Sequence, residues 1–223
     1  MSERLTKEGN KGKSPGPVIT ISRQHGCPAK TVAKLLSEEL TNKLITHGIK
    51  NVSWRYVTKE IISESAKELN VEPSKIKYVF DYEQKGIIDD ILSAQSNKYY
   101  KSDKRIRNTI GKVIRNMASE GNIVIVGRGG VAITRDIPQS LHINLEAPLE
   151  WRVLRTSEKY CVSLEEAEKM TLDVDKKRRQ FREYFGGRGT DYQWFDITFN
   201  CMTLSVEEIV RIIVKAVEVR KLI

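Results

Sequence analysis

The chain has 223 residues, 39% of them hydrophobic and 30% charged, with three cysteines and a formal net charge of +9. That length can bury a full core without disulfides or metals, and no apolar run is long enough to span a membrane. The cysteines are few, odd in number and without CxxC spacing, which argues against structural zinc and predicts a reducing, cytoplasmic setting.

Residues 1–16 are polar, rich in Gly and Lys, and lack periodicity. They predict a disordered arm ahead of one domain over 17–223. Residues 18–22 read as a short strand, and 30–47 place Val32, Leu36 and Leu40 at helical spacing. Residues 52–57 carry a weaker strand signal. Thr58 is positioned to cap a helix running through Ile61, Ile62, Ala66 and Leu69, and 74–96 read as mostly helical. Residues 103–119 form an amphipathic pattern with Ile106, Ile110, Val113, Ile114 and Met117 on one face. Residues 123–126 are continuously apolar, as in a buried central strand. A strand over 141–145 follows, and Pro148 suits the first position of a helix over 148–159. Ser163 with Glu166 makes a capping box that opens a basic helix to about Phe185, before a Gly-rich break. A last strand at 195–199 precedes a helix capped by Ser205 and Glu208.

Strands thus alternate with helices throughout. This order predicts an α/β fold with a five-stranded, mostly parallel sheet and helices on both faces. In such sheets ligands bind beyond the carboxyl ends of the strands. The loops after Ser22, Val126 and Phe199 are the expected places.

The first loop, SRQHGCPAKT at 22–31, follows a strand and opens a helix. It approximates GxxxxGK[ST], in which backbone N–H groups wrap phosphates, a Lys neutralises β/γ charge and a hydroxyl helps hold Mg²⁺. Lys30 and Thr31 occupy the Lys-Thr places, and Gly26 lies inside the loop. Gln24 and Ala29 replace the two glycines, and Pro28 removes an N–H. A phosphate cradle and a plain strand–helix connection are both consistent with this segment, although a helix N-terminus favours an anion. His25 is expected to make a loop hydrogen bond.

The loop at 127–130, GRGG, also supports two readings. GRGGVA matches the dinucleotide fingerprint GxGxxA, but Pro138 truncates the following helix and the strand is not the first of its unit. The other reading is an arginine, Arg128, held at a strand end to bind phosphate. The basic excess is local as well. Residues 101–135 hold eight basic and two acidic residues, and 176–188 hold six and one. Such clusters suit a polyanion, although solvated helix faces produce the same counts.

The segments ITISR, AKT, VIVGRGG, HINLEAPLEWRVLR, VDKKRRQFREYF and FDITFN, in this order, resemble the cytidylate kinase-like family over about 17–220. The resemblance implies a three-layer P-loop kinase fold with an acceptor-binding helical region at about 58–120 and a helical lid at about 163–190. It implies ATP-dependent phosphoryl transfer to a CMP- or dCMP-like acceptor, with Mg²⁺. On this resemblance Gly26, Cys27, Ala29, Lys30 and Thr31 bind ATP, Thr31 helps hold the metal, and Arg107 and Arg128 bind the acceptor. Lys30, Arg178, Arg179 and Arg182 stabilise the transferred charge. Arg107 flanks the apolar face of its helix, whereas Arg115 points away from it. The expected partners are a nucleotide and a small phosphate acceptor, with no membrane association. Nucleic acid is a weaker reading, because aromatics are only 7% and show no stacking pattern in the basic clusters. A nucleotide-binding regulator without catalysis is the other alternative. Gly129 replaces the Asp of the family's Gly-Arg-Asp, and Thr58 stands near a family Asp.

Overall fold

The computed structural model describes residues 16–77, 103–187 and 191–223. The expected arm over 1–15 and the helical reading of 78–96 lie outside the described residues. β1 (Val18–Arg23) is followed by α1 (Ala29–Thr46), β2 (Arg55–Val57), α2 (Glu60–Leu69) and the short α3 (Ser74–Lys77). Next come α4 (Asp103–Glu120), β3 (Ile123–Val126), α5 (Gly130–Thr134) and β4 (Ser140–Glu146). The chain closes with α6 (Leu149–Tyr160), α7 (Leu164–Gly186), a 3₁₀ turn (Asp191–Trp194), β5 (Ile197–Asn200) and α8 (Val206–Val219).

The five strands pair in the order β2-β3-β1-β4-β5, and every pairing is parallel. β1 therefore sits at the centre, with Ile19 opposite Val124 on one side and Leu141 on the other. Its apolar run is buried on both faces, as a central parallel strand requires. One face packs on α1 and α8 through Leu36, Leu40, Ile209 and Ile213. The other packs on α2, α4 and α7 through Ile61, Ile110, Ile114 and Phe181. Because the connection from β1 runs to one side, to β2, and the connection from β3 crosses to the other, to β4, a crevice opens beyond the carboxyl end of β1.

Local chemistry sets the helix ends. Both expected capping boxes form: Ser163 with Glu166 opens α7, and Ser205 with Glu208 opens α8. Two expected starts differ. Pro148 is the extended N-cap of α6, with ψ 145°, and Leu149 is its first helical residue. Thr58 does not cap α2; Lys59 holds that place without a side-chain bond, and the Thr58 N–H donates to the Glu60 carboxylate instead (2.6 Å). Among the described residues no helix is long and apolar enough to cross a membrane.

Candidate functional site: a cationic cleft at the end of β1

A cleft of about 830 Å³ lies at the carboxyl ends of β1 and β3. The first loop (22–31) forms its floor, residues 126–129 one wall, and the ends of α6 and α7 the rest. The third expected loop, after Phe199, is not part of the lining; Cys201 there packs in the core behind the first loop. Eight cationic side chains line the cleft, from Arg23, Lys30, Lys59, Arg128, Arg155, Lys159, Arg178 and Arg182, against one carboxylate, Glu158. Such a concentration of one sign attracts polyanions.

The first loop is held from below. The Gln24 N–H donates to the Leu145 carbonyl (2.9 Å), and Gln24 Oε1 accepts from the Ala147 N–H (3.1 Å). Gln24 thus uses a side chain to bind the residue after β4 where the phosphate-loop pattern has a glycine. His25 is buried, donates its N–H to Asp175 (2.7 Å), and stacks near Tyr160 with ring centroids 6.1 Å apart. Arg152, only 5% exposed, donates to the Ala147 carbonyl (2.9 Å), the His25 carbonyl (3.3 Å) and Asp175 (2.7 Å). Gly26 has φ +89°, and a Cβ there would come within 3.1–3.2 Å of Arg152. Both the backbone conformation and the lack of space call for glycine.

The loop's donors divide into two groups. The N–H groups of Gln24, His25, Cys27 and Ala29 bond within the protein, and Pro28 has none. Those of Gly26, Lys30 and Thr31 make no backbone hydrogen bond among the described residues. Lys30 and Thr31 are exposed in the first turn of α1, on the cleft floor. A helix N-terminus with open amides is an anion site. The donor set therefore fits the terminal phosphates of a nucleotide, with fewer amides than an unaltered phosphate loop presents.

The wall at 127–129 is unusual backbone. Gly127, Arg128 and Gly129 have φ values of +69°, +57° and +71° in succession. This left-handed run turns the chain sharply and holds Arg128, half-buried, on the cleft. A Cβ at Gly127 would run into the Arg23 guanidinium, which crosses it. A Cβ at Gly129 would lie 3.1 Å from Phe185 and 3.4 Å from Phe181. The following α5 has only five residues and belongs to the third strand of the chain, so the dinucleotide geometry is not formed.

The lid arginines separate. Arg178 and Arg182, one turn apart on α7, face the cleft; Arg178 also donates to the Arg23 carbonyl (3.4 Å) and lies 3.8 Å from Asp175. Arg179 is exposed and outside the lining, as its helical phase requires. Arg107 is also outside the lining. It is half-buried behind the aromatic end of α7, 4.9 Å from the Tyr184 ring and 6.0 Å from Phe181, and its Nε is buried without a hydrogen bond among the described residues. Arg115 is exposed and bonds Asp136 (3.1 Å).

Several cleft residues carried no distinct signal in the sequence. Arg23 ends β1, Arg155 and Lys159 lie one turn apart on α6, and Arg155 Nε reaches the Gly26 carbonyl (3.4 Å). Their chain positions are ordinary for solvated helix and strand ends, and tertiary packing alone turns them inward. Glu60 adds a carboxylate near Lys30. Burial pushes its carboxyl up, but hydrogen bonds from Thr58 outweigh this and, with the nearby Lys30 charge, hold it below its ordinary value.

Comparison with known proteins agrees with this architecture. The chain is 26% identical over 208 residues to the cytidylate kinase of Sulfolobus acidocaldarius, covering 92% of this chain and 96% of that protein. It is 24% identical over 203 residues to the cytidylate kinase of Methanococcus aeolicus, covering 90% and 97%. Among solved structures, an uncharacterized protein from Eubacterium ventriosum aligns with a TM-score of 0.60 at 21% identity, covering 91% and 98% of the two chains. Shikimate kinase from Acinetobacter baumannii aligns with a TM-score of 0.51 at 16% identity, covering 94% and 97%, which places the fold among P-loop kinase-like architectures. The model of the cytidylate kinase-like family matches residues 18–203, and the chain belongs to that family.

Proposed function

We propose that the chain is a nucleotide kinase that transfers the γ-phosphoryl group of ATP to a nucleoside monophosphate of the CMP or dCMP type. The observation that carries this reading is the convergence of eight cationic side chains and the open amides of Gly26, Lys30 and Thr31 on one cleft. Phosphoryl transfer needs mainly positioning and charge stabilisation, and little covalent chemistry from the protein. Lys30 would neutralise the β/γ phosphates. Arg128 would hold the acceptor phosphate from its left-handed turn. Arg178 and Arg182 would spread charge from the migrating group, and closure of α7 over it would exclude water.

Mg²⁺, bound with the nucleotide, would offset the charge that develops on the phosphates. Among the described residues no cluster of three or more His, Cys, Asp or Glu could hold a metal. Mg²⁺ is commonly held by few protein oxygens together with substrate phosphates, and Thr31 would supply such an oxygen. Arg107 and Arg179 would act on the acceptor and the transferred charge only if α7 moves, because neither lines the cleft as it stands.

A second reading has a specific observation in its favour. Pro28 and the internal bonds of Cys27 and Ala29 reduce the amides open to phosphate. A protein that binds ATP and signals without turnover would tolerate this. Calorimetric titration with Mg·ATP, followed by an ADP-release assay with CMP, dCMP and other monophosphates, separates the two. ADP release with one acceptor establishes the kinase and its substrate class. ATP binding without release from any acceptor supports the regulator, and absence of ATP binding removes both.

A further inference from the structure

Arg23 ends β1, the central strand, and is half-buried on the cleft. Its backbone belongs to the sheet, in register with Leu145 of β4. Its side chain extends to the other side, toward the end of β3. There the guanidinium occupies the place that a Cβ of Gly127 would take, with Cζ 2.7 Å from that point. The Gly127 N–H donates to the Ile21 carbonyl (2.9 Å), so the turn at 127–129 hangs on β1 two residues before Arg23. From above, Arg178 of α7 donates to the Arg23 carbonyl (3.4 Å). Three parts of the cleft therefore meet at this residue. The first loop runs through it, the turn that carries Arg128 starts beneath its guanidinium, and the helix that carries Arg178 and Arg182 bonds its carbonyl.

Gly127 is explained by the same contact. Its φ is +69°, and any side chain there would displace the guanidinium. The missing Cβ is what lets the arginine fork lie on the backbone of the turn. An apolar side chain could fill such a gap without adding another cation to a cleft that Arg128, Arg178 and Arg182 also line. Like charges gathered in one cleft repel, and a bound anion relieves the repulsion.

We propose that Arg23 is a catalytic residue: its guanidinium lies between the donor phosphates at the first loop and the acceptor phosphate at Arg128, and binds the phosphoryl group as it passes between them. The assignment rests on the kinase reading given above. In the transfer, an oxygen of the acceptor monophosphate attacks the γ-phosphorus, and the bond from that phosphorus to the β–γ bridging oxygen breaks. The bridging oxygen keeps the electron pair and leaves on the β-phosphate of ADP. The dianionic acceptor has no proton to lose, so ATP and a monophosphate give ADP and a diphosphate with no net proton or electron moved.

Midway, charge spreads over the equatorial oxygens of the migrating group. Lys30 belongs to the donor side, in the first turn of α1, and Arg128 to the acceptor turn. Arg23 stands at the strand end from which both sides are hung. Its planar fork can bond two oxygens at once, which the point charge of a lysine cannot. Held against Gly127 beforehand, it needs no rearrangement as the charge develops.

The test uses the full chain with Mg·ATP and the monophosphate that supports ADP release. Arg23→Gln should lower kcat about a hundredfold, with calorimetric Mg·ATP affinity within about threefold of wild type. Arg23→Lys keeps the charge but not the fork, and should stay at least about tenfold below wild type in kcat. A second readout needs no turnover: ADP, aluminium fluoride and the monophosphate together mimic the planar phosphoryl group. Arg23→Gln should weaken that complex about a hundredfold more than it weakens Mg·ATP. A mere strut would instead lower the urea unfolding midpoint and weaken both complexes alike, which overturns the proposal. A kcat loss under about tenfold in Arg23→Gln overturns it too. Should Arg23→Gln not fold, Arg23→Lys decides, and a loss under about threefold refutes the assignment. If wild type releases no ADP with any acceptor, the kinase reading fails and takes this assignment with it. Release that is insensitive to Arg23 removes the assignment alone.

Discussion

Arg152 and Asp175 lie 2.7 Å apart and grip the same residue from two sides: Arg152 donates to the His25 carbonyl (3.3 Å), and Asp175 accepts the His25 N–H (2.7 Å). A buried ion pair joining α6 to α7 is thus also the clamp that shapes the first loop. Removing Asp175 leaves the Arg152 charge buried without its counter-charge, at a cost of about 3–5 kcal/mol, whereas Asp175 without Arg152 still has Arg178 3.8 Å away. Asp175→Ala should show that loss in urea unfolding, and Arg152→Ala a smaller one. Arg152→Met with Asp175→Leu should lose much less than the sum. A stability loss under about 1 kcal/mol for both single variants would show that the pair is not a clamp.

Lys30 is exposed, so its loss should hardly affect the fold. Lys30→Ala is expected to lower the rate of ADP formation by about two to three orders of magnitude, with the unfolding midpoint within about 0.5 kcal/mol of wild type. Retained turnover in a coupled ADP assay would remove the assignment of the first loop as the phosphate site.

Gly129 stands where the family resemblance places an aspartate, and its φ of +71° and its contact with Phe181 and Phe185 leave little room for one. Gly129→Asp should cost about 1–3 kcal/mol, from backbone strain and displacement of the two rings. Gly129→Asp combined with Phe185→Ala should be less destabilised than the two single changes added together. Strict additivity in thermal melts would show that Phe185 does not seat on this glycine.

Glu60 predicts a pH response. Its folded-state carboxyl is held below the ordinary 4.5, so the ionised form is favoured by the fold. The stabilisation it lends is full above 4.5 and fades as pH falls through the lower folded value. Glu60 is exposed, so the effect on stability is small after solvent screening. Carboxyl titration by NMR should give a midpoint below 4.5 for Glu60, moving upward in Thr58→Val, which loses the hydroxyl, and in Lys30→Ala. A midpoint at or above 4.5 would refute the described hydrogen bonds.

Much of the architecture is legible in the chain. The continuous apolar run at 123–126 predicts a strand buried on both faces, and β3 is such a strand. The capping boxes at Ser163 and Ser205 start their helices because the signal is local: a hydroxyl and a carboxylate three residues apart satisfy each other's backbone donors. Thr58 shows the limit of such signals. A threonine before an apolar periodicity reads as a cap, but Glu60 lies near enough to take its N–H, and α2 begins one residue later.

The chemistry of the cleft divides in the same way. Local sequence alone determined the alternating α/β order, the first helical turn that carries Lys30 and Thr31, and the arginine that follows β3, because spacing and composition encode short-range hydrogen bonding and burial. Only tertiary structure decided which charges face the cleft: Arg23, Arg155 and Lys159 turn in, Arg179 turns out, and Arg107 sits behind aromatic rings. The Arg152–Asp175 pair and the His25–Asp175 bond likewise join residues 23 and 150 positions apart. No local pattern records such pairs, because they exist only once the parallel sheet has brought the ends of its strands side by side.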